Sequence, residues 1–189
     1  MHKRTLMIVE IAVFATLAFL LDTIPGLQFT IWPQGGSVSF AMIPIFIIAF
    51  RWGMKAGIIS GLLFGFMNML FGGYIVDWFQ AFLDYILAFA VLGLAGIFSA
   101  PLWDAVRKAN REKIISYVIA GVFLGTALRF ASHFTGGIIF FGYLAPEGQS
   151  VWMYSLIYNS TYLVPGFILS AVILIIILIT RPKLLFKEI

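Results

Sequence analysis

The chain has 189 residues, 62% hydrophobic and 11% charged, with 12 Lys and Arg against 8 Asp and Glu and a formal net charge of +4. A mean hydropathy of +1.04 excludes a soluble globular domain, where roughly a quarter of residues are charged, and identifies an integral membrane protein. The absence of cysteine excludes disulfides and thiolate metal sites, and two histidines, His2 and His133, are too few for an all-protein zinc site.

Six apolar segments follow one another at about 6–24, 38–50, 54–71, 79–101, 114–141 and 152–180, separated by turns rich in Gly, Pro, Trp or charge. Backbone in lipid must satisfy its own hydrogen bonds, so all six are predicted helices of a single domain spanning 1–189. The first begins MHKRTLMIVE, basic then apolar, and runs on to Asp22; it is read as a spanning helix rather than a cleaved leader. About 20 residues are needed to cross a ~30 Å core, and the second and third segments fall short. They either tilt and extend into their loops or leave room for a cavity.

Small residues recur every fourth position in Gly57, Gly61 and Gly65 and in Gly121 and Gly125, a spacing that lets helices approach closely within one bundle. In the first span Ala12 and Thr16 form a similar pair, which could equally face another subunit. The basic run from Arg107 to Lys113 reads as a solvated loop near acidic headgroups, not a nucleic-acid site. All Lys and Arg except Arg129 lie at the two ends or in the second and fourth loops. The positive-inside rule makes those places cytoplasmic, and both termini with them. The other loops, about 25–37, 72–78 and 142–151, carry no Lys or Arg but have Asp22, Asp77, Asp84 and Glu147 in or near them, so the outer face attracts cations.

Asp84 falls six residues after Trp78 in the fourth span, roughly 9 Å below the outer edge. An intramembrane carboxylate is a functional candidate by default, the alternative being a structural ion bridge to Arg129. Arg129 and His133, four apart, share a helix face. Tyr154 and Asn159 follow across a Gly/Pro-bearing loop. Asp84, His133 and Asn159 are predicted to occupy one layer in the outer half of the bundle, among Tyr74, Tyr85, Phe140, Phe141, Tyr143, Tyr154, Tyr158 and Tyr162. A carboxylate, an imidazole, a carboxamide, hydroxyls and stacking rings suit a flat, cationic aromatic molecule. No HExxH, GxSxG or Walker-type loop is present, so neither a catalytic residue nor a cofactor is assigned. The sequon at Asn159 lies within a span and is inaccessible.

These residues resemble the substrate-binding membrane subunit (S component) of energy-coupling factor (ECF) transporters, specifically the thiamine-specific member. The resemblance runs from EIAVFATLAF through MIPIFIIAFRWGMKAG, YIVDWFQAFLDY and LRFASHFTGGIIFF to WMYSLIYN. It implies a six-helix bundle with a site near the outer face, and thiamine contacts at Tyr74, Asp84, Tyr85, His133, Tyr154 and Asn159. Phe141 would stand where a stacking tryptophan is expected, Asp84 for a glutamate and Arg129 for a lysine, with Trp32 as the tryptophan of the first outer loop. It also implies a cell-membrane complex with a transmembrane coupling subunit and two ATP-binding subunits, docking at Ala12 and Thr16. Alternatives are an S component for another vitamin, a proton-coupled secondary transporter using Asp84 or His133, or, least supported, an intramembrane serine hydrolase.

Overall fold

The computed structural model describes residues 3–32 and 35–185; His2 and Lys187, used in the sequence reading, lie outside the described residues. Among the described residues, five helices are long and apolar enough to cross a membrane: α1 (Lys3–Thr23), α3 (Met54–Gly72), α4 (Trp78–Arg107), α5 (Arg111–Phe140) and α6 (Val151–Thr180). The second predicted span is different. Helix α2 (Met42–Trp52) has only 11 residues, about 16 Å at 1.5 Å per residue, while residues 38 and 39 belong to a hairpin. The third segment, by contrast, reaches 19 residues and is not short. A last helix, α7 (Pro182–Leu185), ends the described chain.

The hairpin pairs β1 (Gln28–Trp32) with β2 (Gly35–Ser39) in antiparallel register, Thr30 facing Ser37 and Gln28 facing Ser39. Gln28, Thr30, Trp32, Ser37 and Ser39 therefore share one face, with Phe29, 71% exposed, on the other. This reverses the usual polarity of a half-buried sheet, because Gln28, Thr30 and Ser37 look into a polar cavity while Trp32, at the strand end, packs on Tyr158. Non-helical backbone is tolerable at membrane depth only in such a place. The hairpin was not expected in a chain read as all-α.

The short α2 is the core of the bundle: every residue from Met42 to Phe50 is buried, packed by α1, α3, α4 and α6. Pro44 sits in its first turn, where the missing N–H costs little. Lipid tails are as apolar as the core, so burial alone does not drive this packing; van der Waals fit and interhelical bonds do. The glycines provide the fit. A Cβ on Gly121 or Gly125 would strike the rings of Phe50 and Phe46, and one on Gly61 or Gly65 would strike the carbonyls of Phe89 and Tyr85. Gly57 meets Gly93 in the same seam, so these repeats pack within this bundle. Hydroxyl bonds tie the helices: Ser99 to the Phe50 carbonyl at 2.7 Å and Ser132 to the Leu83 carbonyl at 2.7 Å.

Basic ends are tied too. Glu10 accepts from Arg51 Nε at 2.6 Å, Arg51 Nη2 at 3.0 Å and Trp52 Nε1 at 2.6 Å, and Arg51 Nη1 donates to the Leu185 carbonyl. One ion pair thus fastens α1 to the α2–α3 corner and α7. That corner turns on Gly53, whose φ of 87° and ψ of −179° suit only glycine.

Candidate functional site

Between α1, α3, α4, α5, α6 and the hairpin lies a cavity of about 360 Å³, within the usual range for small-molecule sites. It sits at the end of the bundle whose loops lack Lys and Arg. The shortness of α2 makes it possible, since the hairpin stands where further helical turns would have filled the space.

Helix α4 presents its acid from an irregular stretch. Asp77 caps the first turn through the Phe79 N–H at 2.7 Å, and Phe82–Leu87 then widens into a π-helical turn, a form frequent at functional sites. Asp84 and Tyr85 lie on that turn. Asp84 Oδ2 accepts from Gln80 Nε2 at 2.8 Å, and Oδ1 is 2.8 Å from His133 Nδ1 on α5. Gly136 lets this happen, because a Cβ there would come within 3.1 Å of Asp84 Oδ1. His133 Nε2 accepts from Arg129 Nε at 3.2 Å, which places the ring proton on Nδ1, donating to Asp84. The imidazole is neutral and bridges an acid and a guanidinium.

Asp84 therefore has His133, not Arg129, as its direct partner, contrary to the ion-bridge alternative. Arg129 lies with its Cζ 4.5 Å from the centroid of the Phe89 ring, a cation–π contact. Gln80, 1% exposed, is a site residue the sequence reading missed. Its amide also bonds the Tyr74 carbonyl at 3.1 Å and accepts from the Val76 N–H at 3.1 Å. The available signal was its place one turn before an intramembrane acid.

The far wall is α6. Tyr154, Tyr158 and Tyr162, each four apart, form a ladder of rings with centroids 5.8 and 5.9 Å apart. Asn159, 2% exposed, accepts from the Tyr162 hydroxyl at 2.5 Å and donates to the carbonyl and hydroxyl of Ser155 at 2.8 and 3.2 Å. Both amide hydrogens are used, which leaves one lone pair on Oδ1 as its free function. Gly137 admits Ser155, since a Cβ would overlap its hydroxyl. Tyr85 Oη receives the Tyr74 N–H at 2.7 Å, and Tyr74 leans on Phe141 at 6.2 Å.

Of the expected contact residues, Tyr74, Asp84, Tyr85, His133, Phe141, Tyr154 and Asn159 all line this one cavity. Trp32 stands apart from them. It stacks on Tyr158 at 5.6 Å, donates to Thr161 at 2.9 Å and lines a separate recess of about 220 Å³ that shares Tyr154 and Tyr158. Ala12 and Thr16 lie far from the site in sequence and are exposed on α1. Asp22, placed near the outer loop by the sequence, stands at the end of α1 beside that loop and lines the cavity with Asn68.

Comparison with known proteins gives a consistent result. Residues 8–186 match the family model described as Thiamine transporter protein (Thia_YuaJ). The chain is 45% identical to the thiamine transporter ThiT of Bacillus subtilis (strain 168), over 97% of this chain and 95% of that protein. It is 32% identical to the ThiT of Lacticaseibacillus paracasei, over 97% and 92% of the two chains. The solved structure of ThiT from Listeria monocytogenes superposes with a TM-score of 0.90 at 31% identity, covering 97% of this chain and 99% of that one.

Proposed function

The chain is a multi-pass membrane protein of the thiamine transporter family, and from that membership we propose that it is a high-affinity thiamine-binding subunit of an ECF-type uptake system. It captures the vitamin at the outer face of the cell membrane, with both termini inside. A transmembrane coupling subunit and two ATP-binding subunits, docked on α1 at Ala12 and Thr16, supply the energy.

The observation that carries this reading is the Asp84–His133–Arg129 chain facing a ladder of tyrosines across one cavity. Rings on several walls suit a ligand built of flat heterocycles, which Phe141, Tyr85, Tyr74 and His133 pack. Asn159 Oδ1 and the Tyr154 hydroxyl read the edge of an aminopyrimidine, and Asp84 bonds its polar end. Trp32 braces Tyr158 from behind. Calorimetry on the purified protein tests the reading: thiamine binds tightly, whereas riboflavin or biotin does not. Tight binding of another vitamin with none of thiamine overturns the substrate. Uptake into vesicles driven by a pH gradient, with no ATPase partner present, overturns the coupling.

A further inference from the structure

Two carboxylates line the cavity, and their surroundings differ. Asp84 is joined through His133 to the guanidinium of Arg129. Asp22, at the end of α1, accepts only from neutral groups: Ser39 Oγ at 2.7 Å and Ser37 Oγ at 3.4 Å on Oδ1, and Asn68 Nδ2 at 2.9 Å on Oδ2. Among the described residues no Lys, Arg or His forms an ion pair with it. Neutral donors orient a carboxylate without bringing a charge of their own to offset its charge. The one guanidinium in the lining, Arg129, acts on both carboxylates, so with His133 neutral the cavity keeps an excess of one negative charge.

We propose that Asp22 is a specificity-determining residue of this site: its charge selects a monocationic ligand over an uncharged ligand of the same shape. The proposal rests on the thiamine reading and divides the labour between the acids. Asp84, with both oxygens already bonded by His133 and Gln80, recognises polar edges. Asp22, held by the hairpin and α3 on a different wall, supplies the field that a thiazolium ring requires. Its bonds to Ser37, Ser39 and Asn68 orient the carboxylate; in an asparagine of the same shape the oxygen keeps the serine bonds, and the Asn68 amide turns over to accept from the new NH2.

The test compares thiamine with its uncharged isostere, in which carbon replaces the quaternary nitrogen, by calorimetry on the full-length protein. Asp22→Asn should weaken thiamine by about tenfold, the worth of one charge at roughly 10 Å and an effective dielectric of ~20, and leave the isostere unchanged. Asp22→Glu should keep the wild-type preference for the cation. Ser39→Ala, which loosens the hairpin and leaves the charge, should move both compounds together. An unchanged thiamine-to-isostere ratio in Asp22→Asn overturns the assignment, as does an equal loss for both compounds, which is the mark of a positional role. Wild-type protein that binds neither compound overturns the thiamine reading itself, and this inference with it.

Discussion

His133 Nδ1 and Asp84 Oδ1 lie 2.8 Å apart although 49 residues separate them in sequence. Since Arg129 donates to the other ring nitrogen, the imidazole carries one proton, on Nδ1, and Asp84 Oδ1 accepts its hydrogen bond. The acid is thereby held in place by two donors, His133 and Gln80, on a turn whose backbone is already widened. That rigidity is what a binding site needs if little ordering is to be left for the ligand.

Replacing Asp84 by Asn sets an amide where both neighbours, His133 Nδ1–H and Gln80 Nε2–H, are donors. One of them loses its acceptor, at about 1–3 kcal/mol. Thiamine affinity should fall by about a hundredfold in calorimetry, and a value within about threefold of wild type would remove Asp84 from the site.

The Tyr162 hydroxyl is spent on Asn159 Oδ1, so Tyr162→Phe removes the bond that orients the carboxamide and keeps the ring. A hydrogen bond of this kind contributes about 1 kcal/mol. The expected result is roughly a fivefold loss of thiamine affinity; a binding curve superimposable on wild type would show that Asn159 needs no such support.

Gly65→Ala probes the seam beneath the site. The new Cβ would collide with the Tyr85 carbonyl on the π-helical turn, and backbone cannot yield as a side-chain tip does. A thermal unfolding scan in detergent should show a loss of about 1–3 kcal/mol, together with weakened binding because Asp84 shares that turn. Gly72→Ala, where a Cβ meets nothing within 4 Å, is the control and should leave the unfolding midpoint unchanged.

At the opposite end of α1, Glu10→Ala strands Arg51 and Trp52, whose side chains all converge on that carboxylate. The pair is 11% and 19% exposed, so removing one member should cost about 2–4 kcal/mol, somewhat less than for a fully buried pair. Thermal midpoint should drop while thiamine affinity stays at the wild-type value, since the cavity contains neither residue. A parallel loss of affinity would show that the two ends of α1 are coupled.

Hydropathy, charge placement and the spacing of polar residues were enough to read a multi-pass membrane protein, five of its long helices and the acid, imidazole, carboxamide and most of the rings around the cavity. These are local properties: lipid demands internal backbone bonding wherever apolar residues run long enough, and residues four apart share a helix face whatever packs against them. The glycine repeats were legible for the same reason, because a Cβ missing every fourth residue marks a seam. The alternation in QFTIW and GSVS was legible in principle as a hairpin, but composition that pointed so firmly to helices hid it.

Partner choice was decided only in three dimensions. Whether Asp84 meets Arg129 or His133 depends on how α4 and α5 are rotated against each other, which Gly136 and the π-helical turn settle at a range no spacing rule reaches. The shortness of α2 left two readings open, and the tertiary structure chose the cavity by folding the hairpin over it. That fold also brought Asp22 into the cavity and carried Trp32 to the recess behind Tyr158. Helix positions follow from the chemistry of each segment against its solvent; which side chains meet follows from packing between segments distant in sequence.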